Sequence, residues 1–273
     1  MPSWDTVLDE DGVTYVAINA TSDAWAKRSA ESVKRYMPDM NITLFTDQHS
    51  YDAQSDCFNH TVWIPSRSDH PNLSDKVQYP SQGIIAKVTY MSKSPYQYNL
   101  FLDVDTYALA PLFDIFDVIK DWYDVAAVID EAYMPVTSWA DIPHCLPRYN
   151  SGVLAWRKNE RTKQMFDLYW YHFAESEEDF TSVDEEPLAY VIHKSTVRIA
   201  TLPPECNCRW IFPYILRHKA KILHGRSEDN VALGKKINAQ VGTYRVMYEE
   251  HVIATYQPYV GFQLNNFEPG GES

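Results

Sequence analysis

The first half of the chain alternates short apolar, β-rich runs with segments in which apolar residues recur at helical spacing. The runs predict strands at 13–19, 41–47, 61–64, 98–102 and 125–129. The segments between them predict helices at 24–36, 82–93 and 111–119, the last with Pro111 in its first turn, and a loop at 67–81. We expect the first helix to be capped by Ser22 or Asp23. Strand, helix and strand within about fifty residues are typical of a parallel sheet.

The second half continues the alternation less regularly. Residues 130–148 carry three prolines and no clear period, which indicates a long loop of the kind that is often functional. Further strands are predicted at 149–156, 196–202 and 220–223, and helices at 160–174, 184–193 and 228–240. The aromatic runs that follow have no clear assignment. No repeat or linker divides the chain, so we expect an α/β fold in a single domain over residues 1–273.

Composition narrows the range of partners. With 45% hydrophobic and 14% aromatic residues, the chain has enough apolar material for a substantial core. Its 24 basic and 37 acidic residues give a net charge of −13, which argues against broad binding to nucleic acid or to an anionic membrane. An anionic substrate would therefore need local help from a divalent cation and a few placed Lys or Arg residues.

The sequence shows no signal for secretion and no membrane anchor, although four Asn-x-Ser/Thr patterns, at Asn19, Asn41, Asn59 and Asn72, fit glycosylation sites. The N-terminus does not combine a basic start with an apolar core, and no apolar run approaches the roughly 20 residues of a membrane helix. The four cysteines (Cys57, Cys145, Cys206 and Cys208) are too scattered for a disulfide framework or a zinc knuckle. We expect reduced thiols in a cytoplasmic protein without a transmembrane segment. The sequence leaves open whether the chain forms a homodimer.

The stretch with the clearest chemistry is the acid pair Asp103 and Asp105, which directly follows the apolar run 100–102. If the strand end stays extended, residues i and i+2 point to one side, so both carboxylates can converge on one cation. Acid pairs also serve as turn formers and helix caps. Haloacid-dehalogenase-type phosphatases carry a similar pair, but they place Thr or Val where this chain has Tyr107, and they usually carry the motif near the N-terminus.

Several stretches, in their order along the chain, resemble the GT-A glycosyltransferases, and in particular the retaining family-eight group that includes glycogenin. The stretches are Asn19 to Lys27, Ala86-Lys87, Leu102-Asp-Val-Asp-Thr106, Asn150-Ser-Gly152, Asp184-Glu185 and His224-Gly225. The resemblance covers roughly residues 13–226. It implies a Rossmann-like, mixed and mostly parallel central sheet flanked by helices, with a nucleotide-binding part at 13–130, an acceptor-side part at 131–265 and a tail at 266–273.

The resemblance also implies a metal site and a donor site. Asp103, Asp105 and His224 would ligate Mn²⁺ or Mg²⁺, although a histidine after a strand is often only a surface residue. The remaining donor contacts would frame the base and ribose, the phosphates and the sugar of a nucleotide-sugar donor, most simply a UDP-sugar. They are Ala17, Ile18, Asn19, Ala20, Thr21, Asp23, Lys87, Val104, Asn150, Ser151, Gly225 and Arg226. Gly152 is expected where the backbone approaches closely.

The implied reaction is transfer of a hexosyl group to an acceptor hydroxyl, with retention of configuration. A cation and Lys87 would stabilise the leaving diphosphate. Asp184, Glu185 and Asp130 are the candidate carboxylates near the reacting carbon.

The sequence departs from the family at two places. Relatives often have Asp-Gln where this chain has Asp184-Glu185, and Glu186 is the alternative if the match is off by one. Relatives also carry a longer His-x-x-Gly-x-x-Lys pattern, so one basic residue here would have to replace that lysine, and the candidates are Arg226, Lys221 and Lys219.

The acceptor and two rival functions are less defined. A carbohydrate acceptor would lie over the loop 131–148 and the aromatic C-terminal part, with Tyr133, Trp139, Trp210 and Tyr214 as stacking candidates. A nucleotidyltransferase would usually show a glycine-rich, basic loop after the first strand, and residues 19–23 contain neither type of residue. A non-catalytic relative of the fold would not need to keep the metal set.

Overall fold

A computed structural model describes residues 4–5, 7–66, 82–130, 142–143, 145–175, 184–239, 244–249, 251–257 and 261–264. The predicted loop 67–81, most of the predicted loop 130–148 with Tyr133 and Trp139, and the predicted tail 266–273 lie outside these residues.

The described elements follow the predicted alternation closely. The strands are β1 Asp9–Ala17, β2 Asn41–Thr46, β3 His60–Trp63, β4 Tyr96–Leu102, β5 Thr106–Ala108, β6 Val125–Ile129, β7 Tyr149–Arg157, β8 Ile199–Leu202, β9 Tyr214–Leu216, β10 Ile222–His224, β11 Tyr244–Tyr248, β12 His251–Gln257 and β13 Gly261–Leu264. The helices are α1 Ala20–Tyr36, α2 Gln82–Tyr90, α3 Phe113–Asp121, α4 Glu160–Glu175, α5 Glu185–Lys194 and α6 Asn230–Ile237. Pro111 lies just before α3 and not within its first turn.

The central sheet has seven strands in the order β3-β2-β1-β4-β7-β6-β8. Neighbouring strands are parallel except where β7 pairs with β4 and with β6. The strand β7 therefore runs against the other six, and the expected mixed, mostly parallel sheet is confirmed. The carboxyl ends of those six strands meet at one edge of the sheet, where ligands bind in open α/β folds.

Both faces of this sheet are covered, which explains why its strands are continuous apolar runs. In β4, Leu100 and Leu102 pack with one hydrophobic cluster that includes residues of α1 and α3. Phe101, between them, packs with a second cluster that includes residues of α2, α4 and α5. Successive strand residues point to opposite faces, so a strand covered on both sides needs apolar residues at every position.

The predicted cap of α1 was wrong by at least three residues. The helix begins at Ala20, and the Asn19 side chain accepts a hydrogen bond from the backbone N–H of Ser22 at 3.1 Å. Asn19 adopts a φ of 82° with a ψ of 159°, which is a strained backbone conformation for any residue other than glycine. Asp23 is instead buried, and its carboxylate accepts hydrogen bonds from Thr46 and Ser50.

Two smaller sheets complete the described structure. β5 and β10 form an antiparallel pair, and β13-β12-β11-β9 form an antiparallel sheet from the segment that the sequence pattern left mostly unassigned. All four cysteines are free thiols, as expected. Among the helices that the structure describes, none is both long and apolar enough to cross a membrane.

Candidate functional site

A cavity of about 730 Å³ opens next to the ends of β1 and β4. Twelve of the residues singled out from the sequence line it: Ile18, Asn19, Thr21, Lys87, Asp103, Val104, Asp105, Asn150, Asp184, Glu185, His224 and Arg226. These residues come from segments as far apart as β1 and the turn after β10. The fold therefore gathers most of the predicted site into one place.

The centre of the cavity is a cluster of Asp103, Asp105 and His224. The Nε2 atom of His224 lies 3.6 Å from an oxygen of Asp103 and 3.5 Å from an oxygen of Asp105. The pairing of β10 with β5, in which His224 is opposite Thr106, brings the imidazole to the acid pair. The chain between the two acids forms a turn and is not extended, with the N–H of Thr106 donating to the backbone oxygen of Asp103. The expected convergence is therefore present, but a turn produces it.

The donor atoms of this cluster fit a divalent cation. One ligand atom from each of Asp103, Asp105 and His224 lies within 4.8 Å of the others. With metal–oxygen bonds of about 2.1 Å, octahedral neighbours are about 3 Å apart and opposite ligands about 4 Å apart, so small side-chain shifts suffice. Carboxylate oxygens suit Mg²⁺ and Mn²⁺, whereas imidazole nitrogen suits Zn²⁺ and other later transition metals, so the donor set fits a divalent cation without selecting one.

Gly152 leaves the space that this cluster occupies. A Cβ atom at Gly152 would lie 2.3 Å from the His224 ring and 2.5 Å from a carboxylate oxygen of Asp103. The close approach expected at this position is confirmed, and a larger residue would push the imidazole and the carboxylate out of place.

The charge state of Asp105 suits a metal ligand. Burial raises the pKa of its carboxyl, but when His224 is protonated its hydrogen bond and charge, followed by a backbone hydrogen bond and the charge of Arg226, outweigh burial and lower the pKa overall. Asp105 is therefore ionised at neutral pH.

Lys87 is the buried cation of the site. Its Nζ atom lies 2.9 Å from Asp103 and 3.1 Å from Asp184, and it donates to the Ser151 hydroxyl at 2.8 Å. Burial lowers the pKa of Lys87, but the carboxylates around it outweigh burial and raise the pKa overall, so the amine stays charged. Ser151 does not line the cavity, and its observed contact is with Lys87.

Glu185, at the start of α5, faces the cavity. Its carboxylate accepts a hydrogen bond from Asn150 at 3.3 Å and lies 3.8 Å from the guanidinium of Arg148. Burial, and next the charge of Asp184, raise the pKa of Glu185 to about 7. Glu186 also pairs with Arg148 but does not line the cavity, so of the two glutamates it is Glu185 that faces the cavity.

Several predicted residues lie behind the cavity wall or outside it. Ala17, Ala20, Asp23, Asp130 and Gly225 do not line it. Asp130 is buried beside a small second cavity, where it accepts a hydrogen bond from Arg209 at 2.5 Å. The Gly225 N–H donates to the backbone oxygen of Asp105 at 3.0 Å.

Of the three basic residues considered for the phosphate contact, one lines the cavity and two do not. Arg226 lines the cavity, whereas Lys221 pairs with Asp114 and Lys219 is exposed away from it. Of the proposed stacking residues, Tyr214 is buried in the hydrophobic cluster that also contains Met247, and it does not line the main cavity.

Ser22, within the resemblance stretch 19–27, also lines the cavity. Seven further lining residues were not expected from the sequence: Val16, Gln82, Gly83, Ile84, Arg148, Arg209 and Phe212. Arg148 ends a segment without a period, and Arg209 and Phe212 lie in turns, so no residue pattern marks them. Among the described residues that line the cavity, the aromatic one is Phe212. The Cζ atom of the Arg209 guanidinium lies 4.4 Å from the centre of its ring.

No protein-family model and no curated protein sequence matches the chain. Solved structures do match. The galactosyltransferase LgtC, in complex with donor and acceptor sugar analogues, is 13% identical with a TM-score of 0.57, over 80% of this chain and 87% of LgtC. An active-site mutant of LgtC is 14% identical with a TM-score of 0.53, over 80% and 87%. Mouse xyloside xylosyltransferase 1 in its apo form is 12% identical with a TM-score of 0.54, over 82% of this chain and 100% of that chain. Likenesses at this level of identity establish the architecture, so the chain has the fold of the GT-A glycosyltransferases.

Proposed function

We propose that this protein is a metal-dependent glycosyltransferase that moves a hexosyl group from a nucleotide diphosphate sugar to an acceptor hydroxyl. The observation that carries the proposal is the convergence of Asp103, Asp105 and His224, with Lys87 beside them, in one cavity of a GT-A fold. A UDP-sugar as donor, Mn²⁺ as the metal, membership of the family-eight group and retention of configuration follow from the resemblance of the motifs.

The charges of the cavity support a requirement for a cation. Among the described residues that line it, Lys87, Arg148, Arg209 and Arg226 are cationic, and Asp103, Asp105, Asp184 and Glu185 are anionic. Fully ionised, these groups balance, and partial protonation of Glu185 leaves at most one unit of excess positive charge for a diphosphate. A bound divalent cation would supply that excess at the acid pair and would act as a Lewis acid toward the leaving diphosphate.

Lys87 has a defined place in this mechanism. Three acceptors hold its amine, so it is preorganised and needs little rearrangement when negative charge develops on the leaving phosphate. Arg226 reaches the same cavity from the turn after β10, where it provides a second contact to the phosphates. When the sugar–oxygen bond breaks, the electron pair stays with the diphosphate that these groups neutralise.

Glu185 takes the place of the glutamine that relatives often have. With a pKa of about 7, its carboxyl is partly protonated near neutral pH. A protonated carboxyl resembles an amide, because it both donates and accepts a hydrogen bond. Glu185 can therefore contact the donor sugar as a glutamine would. Asp184, which Lys87 holds ionised, accepts a hydrogen bond from a sugar hydroxyl.

The test is a calorimetric titration with UDP, with and without Mn²⁺, followed by a screen for hydrolysis of UDP- and GDP-sugars. We expect UDP to bind only when Mn²⁺ is present, and one UDP-sugar to be hydrolysed. Binding of UDP that is independent of metal, or no binding, overturns the proposal. A nucleotidyltransferase would instead release inorganic pyrophosphate from a nucleoside triphosphate.

The matched variants are Asp105→Ala and Asp39→Ala. Asp105→Ala removes a proposed ligand at a strand-end turn, and we expect turnover to fall by about 10²-fold or more while circular dichroism stays unchanged. Asp39 is an exposed acid in the turn before β2, at the edge of the sheet opposite to the cavity, and its replacement leaves turnover unchanged. Unfolding of the Asp105→Ala variant would mean that the residue has a structural role.

A further inference from the structure

We propose that two buried asparagines, Asn150 and Asn207, are positioning residues that fix the tautomer of the His224 imidazole. In this tautomer the proton is on Nδ1, and the lone pair of Nε2 faces the acid pair. The relevance to metal binding rests on the proposed function, whereas the tautomer itself follows from hydrogen bonds that can be traced from a backbone amide.

The starting point is the N–H of Gly152, which can only donate. The pairing of β4 with β7 ends at Leu102 and Val153, and the Gly152 N–H points to the Oδ1 atom of Asn150 at 3.0 Å. A carboxamide presents its oxygen on one side and its NH₂ on the other. This backbone donor therefore settles which way round the Asn150 side chain lies.

The orientation of Asn150 dictates that of Asn207. The two side chains meet at 2.7 Å, and the atom that Asn150 presents there is the same Oδ1 oxygen, which has a second lone pair to offer. Asn207 must face it with its NH₂ group, because the reverse orientation would place two oxygens in contact. Asn150 is 2% exposed and Asn207 is 4% exposed, so little water can replace either partner.

The orientation of Asn207 in turn dictates the protonation of His224. The Oδ1 atom of Asn207 lies 2.8 Å from Nδ1 of the imidazole. An amide oxygen accepts and cannot donate, so Nδ1 carries the proton. The neutral ring then has its lone pair on Nε2, which is the atom that faces Asp103 and Asp105.

The other end of the chain of hydrogen bonds agrees with this direction. The NH₂ group of Asn150 donates to a carboxylate oxygen of Glu185 at 3.3 Å. His224 thus donates to Asn207, Asn207 donates to Asn150, and Asn150 donates to Glu185. Both amides therefore donate one hydrogen bond and accept another. The same four residues link the histidine of the metal cluster to the carboxylate on the sugar side of the cavity.

The tautomer matters because a metal binds the unprotonated nitrogen. If the proton were on Nε2, the imidazole would present an N–H to the cation. Hydrogen-bond partners of ligating histidines typically contribute 10–100-fold to metal affinity. Asn207 is therefore expected to set the affinity of the site without touching the metal.

The test uses two substitutions of Asn207 in the full chain, with Mn²⁺ alone as the probe and unbound Mn²⁺ measured by electron paramagnetic resonance. Asn207→Leu keeps the shape but removes the acceptor, and we expect Mn²⁺ affinity to fall about 10–100-fold. Asn207→Asp keeps an acceptor for the Nδ1 proton, but it replaces the donor to Asn150 by an oxygen and adds a negative charge. That charge favours the proton on Nδ1 and so offsets the lost contact with Asn150, and we expect Mn²⁺ affinity to stay within about threefold of wild type or to rise. A folded Asn207→Leu variant that binds Mn²⁺ like wild type, or equal losses in both variants, overturns the proposal.

A second measurement reads the tautomer without any metal. In metal-free protein with ¹⁵N-labelled histidine, the protonated and the unprotonated nitrogen of a neutral imidazole have different chemical shifts. The His224 signals are identified by their loss in His224→Gln. We expect a protonated Nδ1 and an unprotonated Nε2, and the opposite pattern overturns the proposal even if Mn²⁺ binds. If wild type binds no Mn²⁺, the proposed function fails, and the ¹⁵N shifts still decide the tautomer.

Discussion

Asp184 and Glu185 are neighbours in the chain, yet the pKa values of their carboxyls shift in opposite directions. Burial raises the pKa of both. For Asp184, the charge and hydrogen bond of Lys87, with the Ser151 hydroxyl, outweigh burial and lower the pKa. Glu185 lies farther from Lys87 and beside the charge of Asp184, so its pKa rises to about 7. Adjacent carboxyls with separated pKa values are a common arrangement in active sites.

The raised pKa of Glu185 predicts a specific dependence of stability on pH. The folded chain holds this proton more tightly than the unfolded chain, in which the pKa is near 4.5. The resulting stabilisation is complete below about pH 4.5 and is lost as pH rises through about 7, and it amounts to at most about 3 kcal/mol. The variant Glu185→Gln has no proton to lose, so its free energy of unfolding should fall less than that of wild type over this range.

Urea titrations of metal-free protein at a series of pH values measure this difference. Parallel stability curves for wild type and Glu185→Gln would contradict the raised pKa. Above neutral pH, a Glu185→Gln variant that is more stable than wild type would support the raised pKa, because the variant does not bury a negative charge there.

The principal polar residues of the site were predictable where they follow a strand or lie in a helix before one. Asp103 and Asp105 follow an apolar run, and His224 ends another, so the edge of a sheet could be anticipated for all three. Asn207 and Arg209 lie between regular elements, and their roles depend on contacts with Asn150 in β7 and with Asp130, which follows β6. Such contacts exist only in the folded chain, so no local pattern records them.

At the scale of elements, the strands could be read from apolar runs, but their partners could not. β5 has three residues and is a strand because it pairs with β10, more than a hundred positions later. The reversed direction of β7 also leaves no mark in its own sequence, which is a buried apolar run like that of β4. Pairing and direction are decided by packing across the sheet.

The start of α1 offers a test of how one residue shapes an element. Asn19 caps the helix and adopts a φ of 82° with a ψ of 159°, a region otherwise used almost only by glycine. Asn19→Ala loses the cap and keeps the backbone strain, and we expect a loss of about 1–2 kcal/mol in the free energy of unfolding. Asn19→Gly loses the cap but relieves the strain, so we expect a change of only a few tenths of a kcal/mol.

Chemical unfolding without ligands separates these effects from binding, because Asn19 also lines the cavity. Equal losses in the two variants would show that strain at this position is negligible and that the cap alone matters.

At the scale of the whole molecule, the site depends on all three described sheets. The acid pair follows β4 of the central sheet, His224 belongs to the β5–β10 pair, and Leu223 beside it packs with Tyr214 and Met247 of the C-terminal sheet. The side chain of Arg28 in α1 donates to the backbone oxygen of Ser227, in the turn after His224. Contacts of this kind connect segments that are about two hundred positions apart in the chain.

These connections predict that residues 1–273 unfold as one cooperative unit. Arg245 in β11 is fully buried and donates to the backbone oxygens of Ile237 and His218, so it ties the C-terminal sheet to α6 and to the segment before β10. Arg245→Leu leaves both acceptors without this donor, and we expect a loss of about 2–4 kcal/mol. Tryptophan fluorescence and circular dichroism should report one transition in wild type and one coincident, lowered transition in the variant. The exposed Arg217→Leu should change stability by less than about 0.5 kcal/mol. If Arg245→Leu splits the two signals into separate transitions, the chain contains two domains. His224 would then lie on a unit that unfolds independently of Asp103 and Asp105.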